Sequence, residues 1–260
     1  MAEIPDSHPR KASLMARQKM VDAASIGLLA ESAMIAHGRG EAYDYLLGER
    51  TIEAASLAIS EAVARLSEAQ NPVISVNGNT VVLAGGDLIR LAAIVGCPIE
   101  VNLYYRTDER ISGLLSLLDS QRESVASGEP PEEWSGDWRE RVLSVPLLGS
   151  EPDGSISGLV GPRSLCCRDG IERADVVLVP LEDGDRCEAL ISLGKQVLVI
   201  DLNPLSRTAR NATVTIVDEV SRAAAEMVKR ALNPGRSTEW DNERCLREAL
   251  SVISDAGSLI

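Results

Sequence analysis

Two stretches, Glu182-Asp183-Gly184-Asp185-Arg186 and Asp201-Leu202-Asn203-Pro204-Leu205-Ser206-Arg207-Thr208, each follow a short aliphatic run and open a helical pattern. Carboxylates in such positions can accept sugar hydroxyls or hold a cation, and arginines beside them can grip phosphate or carboxylate bidentately. In a dinucleotide-binding unit the first loop is glycine-rich, and an acidic residue about twenty positions later meets a ribose hydroxyl. Asp201 satisfies the second half of that rule. The first half fails: Gly184 is flanked by three carboxylates, which would repel a phosphate docked directly on backbone amides. Either a cation lies between them, or the carboxylates meet sugar hydroxyls. For Asp185 and Glu188 alone a capping box is a sufficient explanation that requires no ligand.

Other segments carry polar groups at comparable places. In Ile35-Ala36-His37-Gly38-Arg39-Gly40-Glu41-Ala42-Tyr43-Asp44 two glycines frame an arginine. A loop of this kind can press amides and a guanidinium against one anion, or it can be a tight turn before a helix starting near Glu41. Asn77-Gly78-Asn79-Thr80 is either a turn or a polar binding loop. Asn102, Tyr104, Tyr105 and Arg106 close another strand. Arg10, Arg17, Arg39, Arg106, Arg186 and Arg207 all lie in or beside these polar loops; each either pairs with a surface carboxylate or contributes to one anion site.

The elements that must position these groups follow from apolar spacing. Val73–Val76, Ile99–Leu103, Val176–Val179, Val197–Ile200 and Thr213–Val217 read as strands, the β-branched runs being of the kind buried on both faces of a parallel sheet. Helical spacing covers Ser13–Gly27, Thr51–Ala69, Asp87–Val95, Cys187–Leu193, Glu219–Leu232 and Trp240–Ile253, with Gly194 stopping the helix between the Val176–Val179 and Val197–Ile200 runs. The expectation is a single α/β domain over 1–260, with a parallel sheet, an N-terminal helical segment and C-terminal helices. An irregular connection spans 121–162, and a helical tail spans 234–260. Four polar strand ends at one edge of such a sheet suggest a site.

Composition limits the function classes. With 45% hydrophobic and 25% charged residues the 260-residue chain is ordinary for a globular protein, and without any Phe its core must be aliphatic. The net charge of -13 argues against a general nucleic-acid or anionic-membrane surface, so any anion site must be local. The N-terminal stretch has no signal pattern and no apolar run reads as long enough to span a bilayer, so the expectation is a cytoplasmic protein with neither membrane nor nucleic-acid partner. Cys97, Cys166, Cys167, Cys187 and Cys245 are an odd set without CxxC spacing and predict neither a disulfide framework nor a zinc site.

Ser7-His8-Pro9-Arg10, Ala36 through Ala42, Asn71 through Asn79, Glu100-Val101-Asn102-Leu103 with Tyr105-Arg106-Thr107, and Ala174 through Arg210 together resemble the archaeal phosphopantothenate synthetase (4-phosphopantoate--beta-alanine ligase) family. The resemblance runs to about Val220. Between Gln121 and Cys167 it rests on Ile156, Gly158, Leu159 and Arg163, and Cys187 stands where threonine is expected. It implies a homodimeric, Rossmann-like, ATP- and Mg²⁺-using ligase of coenzyme A biosynthesis that joins 4-phosphopantoate to β-alanine and releases AMP and pyrophosphate. It also implies that Arg17, Arg39, Asp183, Gly184, Asp185, Arg186, Asp201, Asn203, Arg207 and Thr208 form the ATP site. Asn77, Asn79, Asn102 and Arg106 are the candidates for phosphopantoate. Arg39 and Arg186 would neutralise charge in adenylation. His37 would take the proton of the β-alanine amine, bind phosphate or support its loop. The residues also admit a nucleotide-sensing Rossmann-like module without turnover, and Asp201 alone would suit a flavin- or NAD-binding domain.

Overall fold

The computed structural model describes residues 4–181 and 183–256. Glu182 of the acidic run and residues 257–260 of the tail lie outside the described residues. The aliphatic runs form six strands of one sheet: β1 Pro72–Val76, β2 Ile99–Val101, β3 Leu147–Leu148, β4 Val176–Pro180, β5 Gln196–Ile200 and β6 Val214–Ile216. All neighbours are parallel, and the order across the sheet is β3-β2-β1-β4-β5-β6. This is the doubly wound order of a Rossmann-like sheet. Its direction reverses between β1 and β4, where Ile74 stands in register with Leu178.

Side chains alternate between two apolar layers, which is why these strands read as unbroken aliphatic runs rather than as polar-apolar alternation. Ile74, Val76, Leu178, Leu198 and Ile200 enter the larger core. There they meet α3 (Glu53–Glu68), α4 (Gly78–Val95) and α9 (Val220–Ala231), through residues such as Ile59, Leu88 and Met227. Val73, Val177, Val179, Val197 and Val199 face the other layer, built from Ile156, Ile171 and Leu190. Leu190 belongs to α7 (Gly184–Ser192), which Gly194 follows at φ +79°. The remaining helices are α1 (Lys11–Ser25), α2 (Glu31–Leu46), α5 (Asp108–Ser127), α6 (Trp138–Leu143), α8 (Arg207–Asn211) and α10 (Asn242–Asp255).

Several boundaries differ from the sequence reading. The glycine-framed segment around Arg39 is neither a loop nor a turn, because α2 runs through it without interruption and neither Gly38 nor Gly40 has a positive φ. The turn reading of Asn77-Gly78-Asn79 is likewise replaced: Asn77 caps α4, which begins at Gly78 rather than Asp87. That helix is long and apolar enough to cross a membrane by length and composition, contrary to the expectation that no such run exists. Most of it is buried against the sheet and its neighbouring helices, which accounts for its hydropathy. The first seven residues of the stretch taken as irregular, 121–127, complete α5. Beyond them the connection holds α6, the edge strand β3 and Gly154–Ser155, which forms a short antiparallel ladder with Leu165–Cys166 just past its end. All five cysteines are buried.

Candidate functional site

Because every strand of the main sheet is parallel, the segments after β1, β2, β4 and β5 emerge at one edge, on four adjacent strands. Helix α2 lies against this edge. Asn79 donates to the Ala33 carbonyl at 3.1 Å, and an added Cβ at Gly40 would meet Leu202 Cδ1 at 3.4 Å. Farther along the helix the buried Asp44 accepts from Arg222, which also bonds the buried Asp218 just after β6. The low exposure of both carboxylates makes this charge pairing essential, since either one alone would be a buried uncompensated charge. Thr51 adds a hydrogen bond to Asp218 at 2.6 Å. Thus α2 is pinned by charge at one end and by Asn79 at the other.

The pinning presents two basic candidates. His37 is on the same helical stripe as Ala33, Gly40 and Asp44, and its Nε2 is buried without a hydrogen-bond partner. Arg39 is exposed, and its charge acts on Asp201 at the end of β5. Arg17, from α1, points elsewhere: its Nε meets Glu41 at 2.7 and 2.9 Å on the outer side of α2, in a groove shared with Arg10 and Tyr45. Desolvation of Glu41 opposes ionisation, but Ser13 and Arg17 outweigh it and hold that carboxyl below its usual range.

After β4 the chain turns at Leu181, a non-glycine residue with φ +60°. Its carbonyl accepts from the Asn77 side chain at 2.8 Å, and its amide donates to Ile200. Asp183 then caps α7 by accepting from the Asp185 amide at 3.2 Å. The cap is therefore two residues earlier than an Asp185–Glu188 box requires. Glu188 instead faces α8, accepting from Arg207 at 2.8 Å. Arg207 also meets Asp185 at 2.8 Å. Gly184 makes this helix contact possible, because a Cβ there would stand 2.8 Å from Arg207 Cβ. Arg186 is buried, and its Nη1 donates to the Arg163 carbonyl at 3.3 Å.

The loop after β5 is built by its own side chains. Asp201 accepts from the Asn203 amide at 2.9 Å and from the Ser206 hydroxyl, while Asn203 accepts from the Leu205 amide at 3.0 Å. Ser206 in turn caps α8, and Thr208 is buried within it. Burial raises the Asp201 pKa, against the opposing effects of Ser206, Asn203 and the Arg39 charge.

Asn77, Asn79, Asn102 and Arg106 also reach this edge, and each makes hydrogen bonds within the protein. Asn77 accepts from both the amide and hydroxyl of Thr80 at 3.1 Å. Asn102 is buried and donates to Ser75 and to the side chain of Glu100, each at 3.2 Å. Arg106 donates to the Gly149 and Ser150 carbonyls at 2.6 and 3.3 Å, clamping the segment after β3.

Two participants carry no role in the sequence reading. Glu100 is fully buried in β2 and accepts from the amides of Cys167 and Ile171 at 3.0 and 2.8 Å. Desolvation raises its pKa, only partly opposed by those amides. A charged residue inside an apolar strand was the available signal. Arg163 bonds Asp185 at 3.1 Å and also bridges to Asp183, with its guanidinium 4.9 Å from the Tyr104 ring centre. It comes from an irregular segment, so no periodic pattern marks it. Among the described residues no three His, Cys, Asp or Glu side chains form a group able to hold a metal. Asp183 and Asp185 are engaged by arginine, so the side chains present do not fit a protein-held Mg²⁺.

The edge thus combines arginines, buried carboxylates and an open-ended βαβ unit, an arrangement suited to a nucleotide with an additional anionic substrate. A sequence model for phosphopantothenate/pantothenate synthetase matches residues 54–256, which includes every segment of this edge except α2. The chain is 44% identical to the 4-phosphopantoate--beta-alanine ligase of Methanosarcina mazei, over 98% of this chain and 96% of that protein. It is 45% identical to the protein of that name from Methanospirillum hungatei, over 97% of each chain. For the one from Thermococcus onnurineus the figures are 42% identity, over 98% of this chain and 94% of that protein. These alignments extend through α1 and α2, and the chain belongs to the phosphopantothenate/pantothenate synthetase family.

Proposed function

We propose that the protein is an ATP-dependent, AMP-forming ligase that condenses (R)-4-phosphopantoate with β-alanine to 4'-phosphopantothenate in coenzyme A biosynthesis. The observation that carries this reading is the similarity to ligases of that name across nearly the whole length, with the polar motifs gathered at one sheet edge.

In the proposed reaction a carboxylate oxygen of phosphopantoate attacks the α-phosphorus of ATP and pyrophosphate leaves, giving an acyl-adenylate. The β-alanine amine attacks the acyl carbon, AMP departs with one original carboxylate oxygen, and the amine loses a proton. The first step brings anion to anion, which is the reason for arginine at this edge. Arg39, Arg186 and Arg207 supply positive charge, and Asp201 with Asn203 faces the sugar. Asp183, Gly184, Asp185 and Thr208 shape the turn that receives the nucleotide. Arg17 belongs to the same set by family resemblance, although its contact with Glu41 lies on the outer side of α2. Asn77, Asn79, Asn102 and Arg106 are proposed for phosphopantoate, through the loops they brace. His37 Nε2, buried and without a hydrogen-bond partner, is the proposed acceptor of the amine proton. Mg²⁺ enters this reading on the phosphates of the nucleotide. We further propose a cytoplasmic homodimer.

The test is incubation with Mg-ATP and measurement of AMP and pyrophosphate, with 4-phosphopantoate and β-alanine added singly and together, and pantoate as the unphosphorylated control. AMP release coupled to product formation only when both substrates are present supports the ligase. Binding of ATP without AMP under any combination would favour a nucleotide sensor.

A further inference from the structure

Asp183 and Asp185 lie in one turn at the start of α7, where a nucleotide phosphate would have to approach two negative charges. Arg163 reaches both of them. One arm of its guanidinium bonds Asp185 at 3.1 Å, another bridges to Asp183, and the Tyr104 ring lies beneath it at 4.9 Å. It arrives from neither α7 nor α8 but from the Gly161–Ser164 turn, inserted between β3 and β4. Tyr104 follows β2, on the opposite side of the switch point from Asp183. Arg163 therefore spans the two halves of the sheet edge, and its carbonyl also receives Arg186.

We propose that Arg163 is a positioning residue for nucleotide binding, holding Asp183 and Asp185 neutralised and turned so that the acidic entrance to α7 accepts a polyphosphate. The inference rests on the ligase reading for the identity of the nucleotide. Geometry specifies arginine here. A planar fork can serve two carboxylates while one face lies on an aromatic ring, whereas an ammonium supplies the charge without the fork. Arg207 does not duplicate the role, since it joins Asp185 to Glu188 from the α8 side.

The test compares equilibrium ATP binding, KM for ATP and kcat in the wild type, Arg163→Lys, Arg163→Ala, Asp185→Asn and the Arg163→Ala/Asp185→Asn double variant. Arg163→Ala is expected to weaken ATP binding and raise KM by about tenfold, the scale of one lost charge-assisted interaction, with a much smaller change in kcat at saturating ATP. Arg163→Lys should recover part of the loss. In the Asp185→Asn background the same Arg163→Ala change should cost less, because one of the charges it neutralises is gone. ATP binding in Arg163→Ala within about twofold of wild type, a difference too small for such an interaction, would overturn the proposal. An undiminished loss in the Asp185→Asn background would also overturn it, by making Arg163 a direct ligand. If Arg163→Ala does not fold, Arg163→Lys and Arg163→Gln carry the same comparison. A wild type that binds ATP but forms no AMP would sink the ligase reading while leaving the binding comparison decisive for Arg163.

Discussion

The side-chain amide of Asn77 donates to the carbonyl of Leu181 at 2.8 Å, tying the end of β1 to the end of β4 where the strand order reverses. The same side chain caps α4 through the Thr80 amide. Leu181 holds a left-handed backbone that a non-glycine residue adopts only at a cost, so its neighbours must keep it there. Asn77→Ala removes the cap and the cross-loop bond together, each worth about 1 kcal/mol. The expected result is a loss of about 2 kcal/mol in urea unfolding, accompanied by weaker ATP binding. Unchanged ATP affinity in a destabilised variant would confine Asn77 to a structural role.

Gly184→Ala separates helix propensity from packing. Alanine is favoured over glycine by about 1 kcal/mol in a helix interior, and less than that in a first turn. The added methyl would sit 2.8 Å from Arg207 Cβ, and relieving such overpacking costs about 1–3 kcal/mol. Packing should win. Thermal unfolding is expected at lower temperature than wild type, with weaker ATP binding as α8 moves off α7; a stabilised variant would show that the helices separate freely.

What was legible in the sequence was the sheet and its polar edge. Val176–Val179 and Val197–Ile200 announce buried parallel strands because both faces are covered, and parallel pairing brings their polar ends to one side. The stretch around Arg39 misled because two glycines usually mark a loop. Within α2 their helix penalty is offset by tertiary contacts, Gly40 lying against Leu202 and Asp44 held by Arg222. Asn77-Gly78-Asn79 misled for the opposite reason: the same residue types that favour turns also cap helices. Strand β3, two residues long, is too short to show a period. Arg163 was invisible as a site residue because its partners are about twenty positions away and joined to it only by tertiary packing.

Glu100 should betray itself in the pH dependence of stability. Burial raises its folded-state pKa, so the native protein holds this proton to higher pH than the unfolded chain. Its contribution is therefore greatest below the unfolded value of about 4.3 and is lost as pH rises through the raised folded value. Glu100→Gln removes this titration but turns an amide group toward either the Cys167 or the Ile171 N–H, costing about 1–3 kcal/mol. Urea midpoints measured across that window should show the wild-type advantage over the variant shrinking as pH rises. A constant difference would mean that Glu100 does not titrate there.

Arg39 and Asp201 can be separated by what each loses. Arg39→Ala removes an exposed side chain and should leave unfolding within about 0.5 kcal/mol of wild type while abolishing most AMP formation. Asp201→Asn keeps an oxygen for the Asn203 amide and should weaken ATP binding with little change in fold. Wild-type AMP formation by Arg39→Ala, or wild-type ATP affinity in Asp201→Asn, would remove that residue from the nucleotide site.

An acyl-adenylate carries one carboxylate oxygen into AMP, and isotope transfer follows that oxygen. With ¹⁸O in the carboxylate of 4-phosphopantoate, mass spectrometry of a reaction containing ATP and β-alanine should find one labelled oxygen in AMP and none in pyrophosphate. Label in inorganic phosphate accompanied by ADP, or AMP formed without label, would contradict attack of the carboxylate on the α-phosphorus.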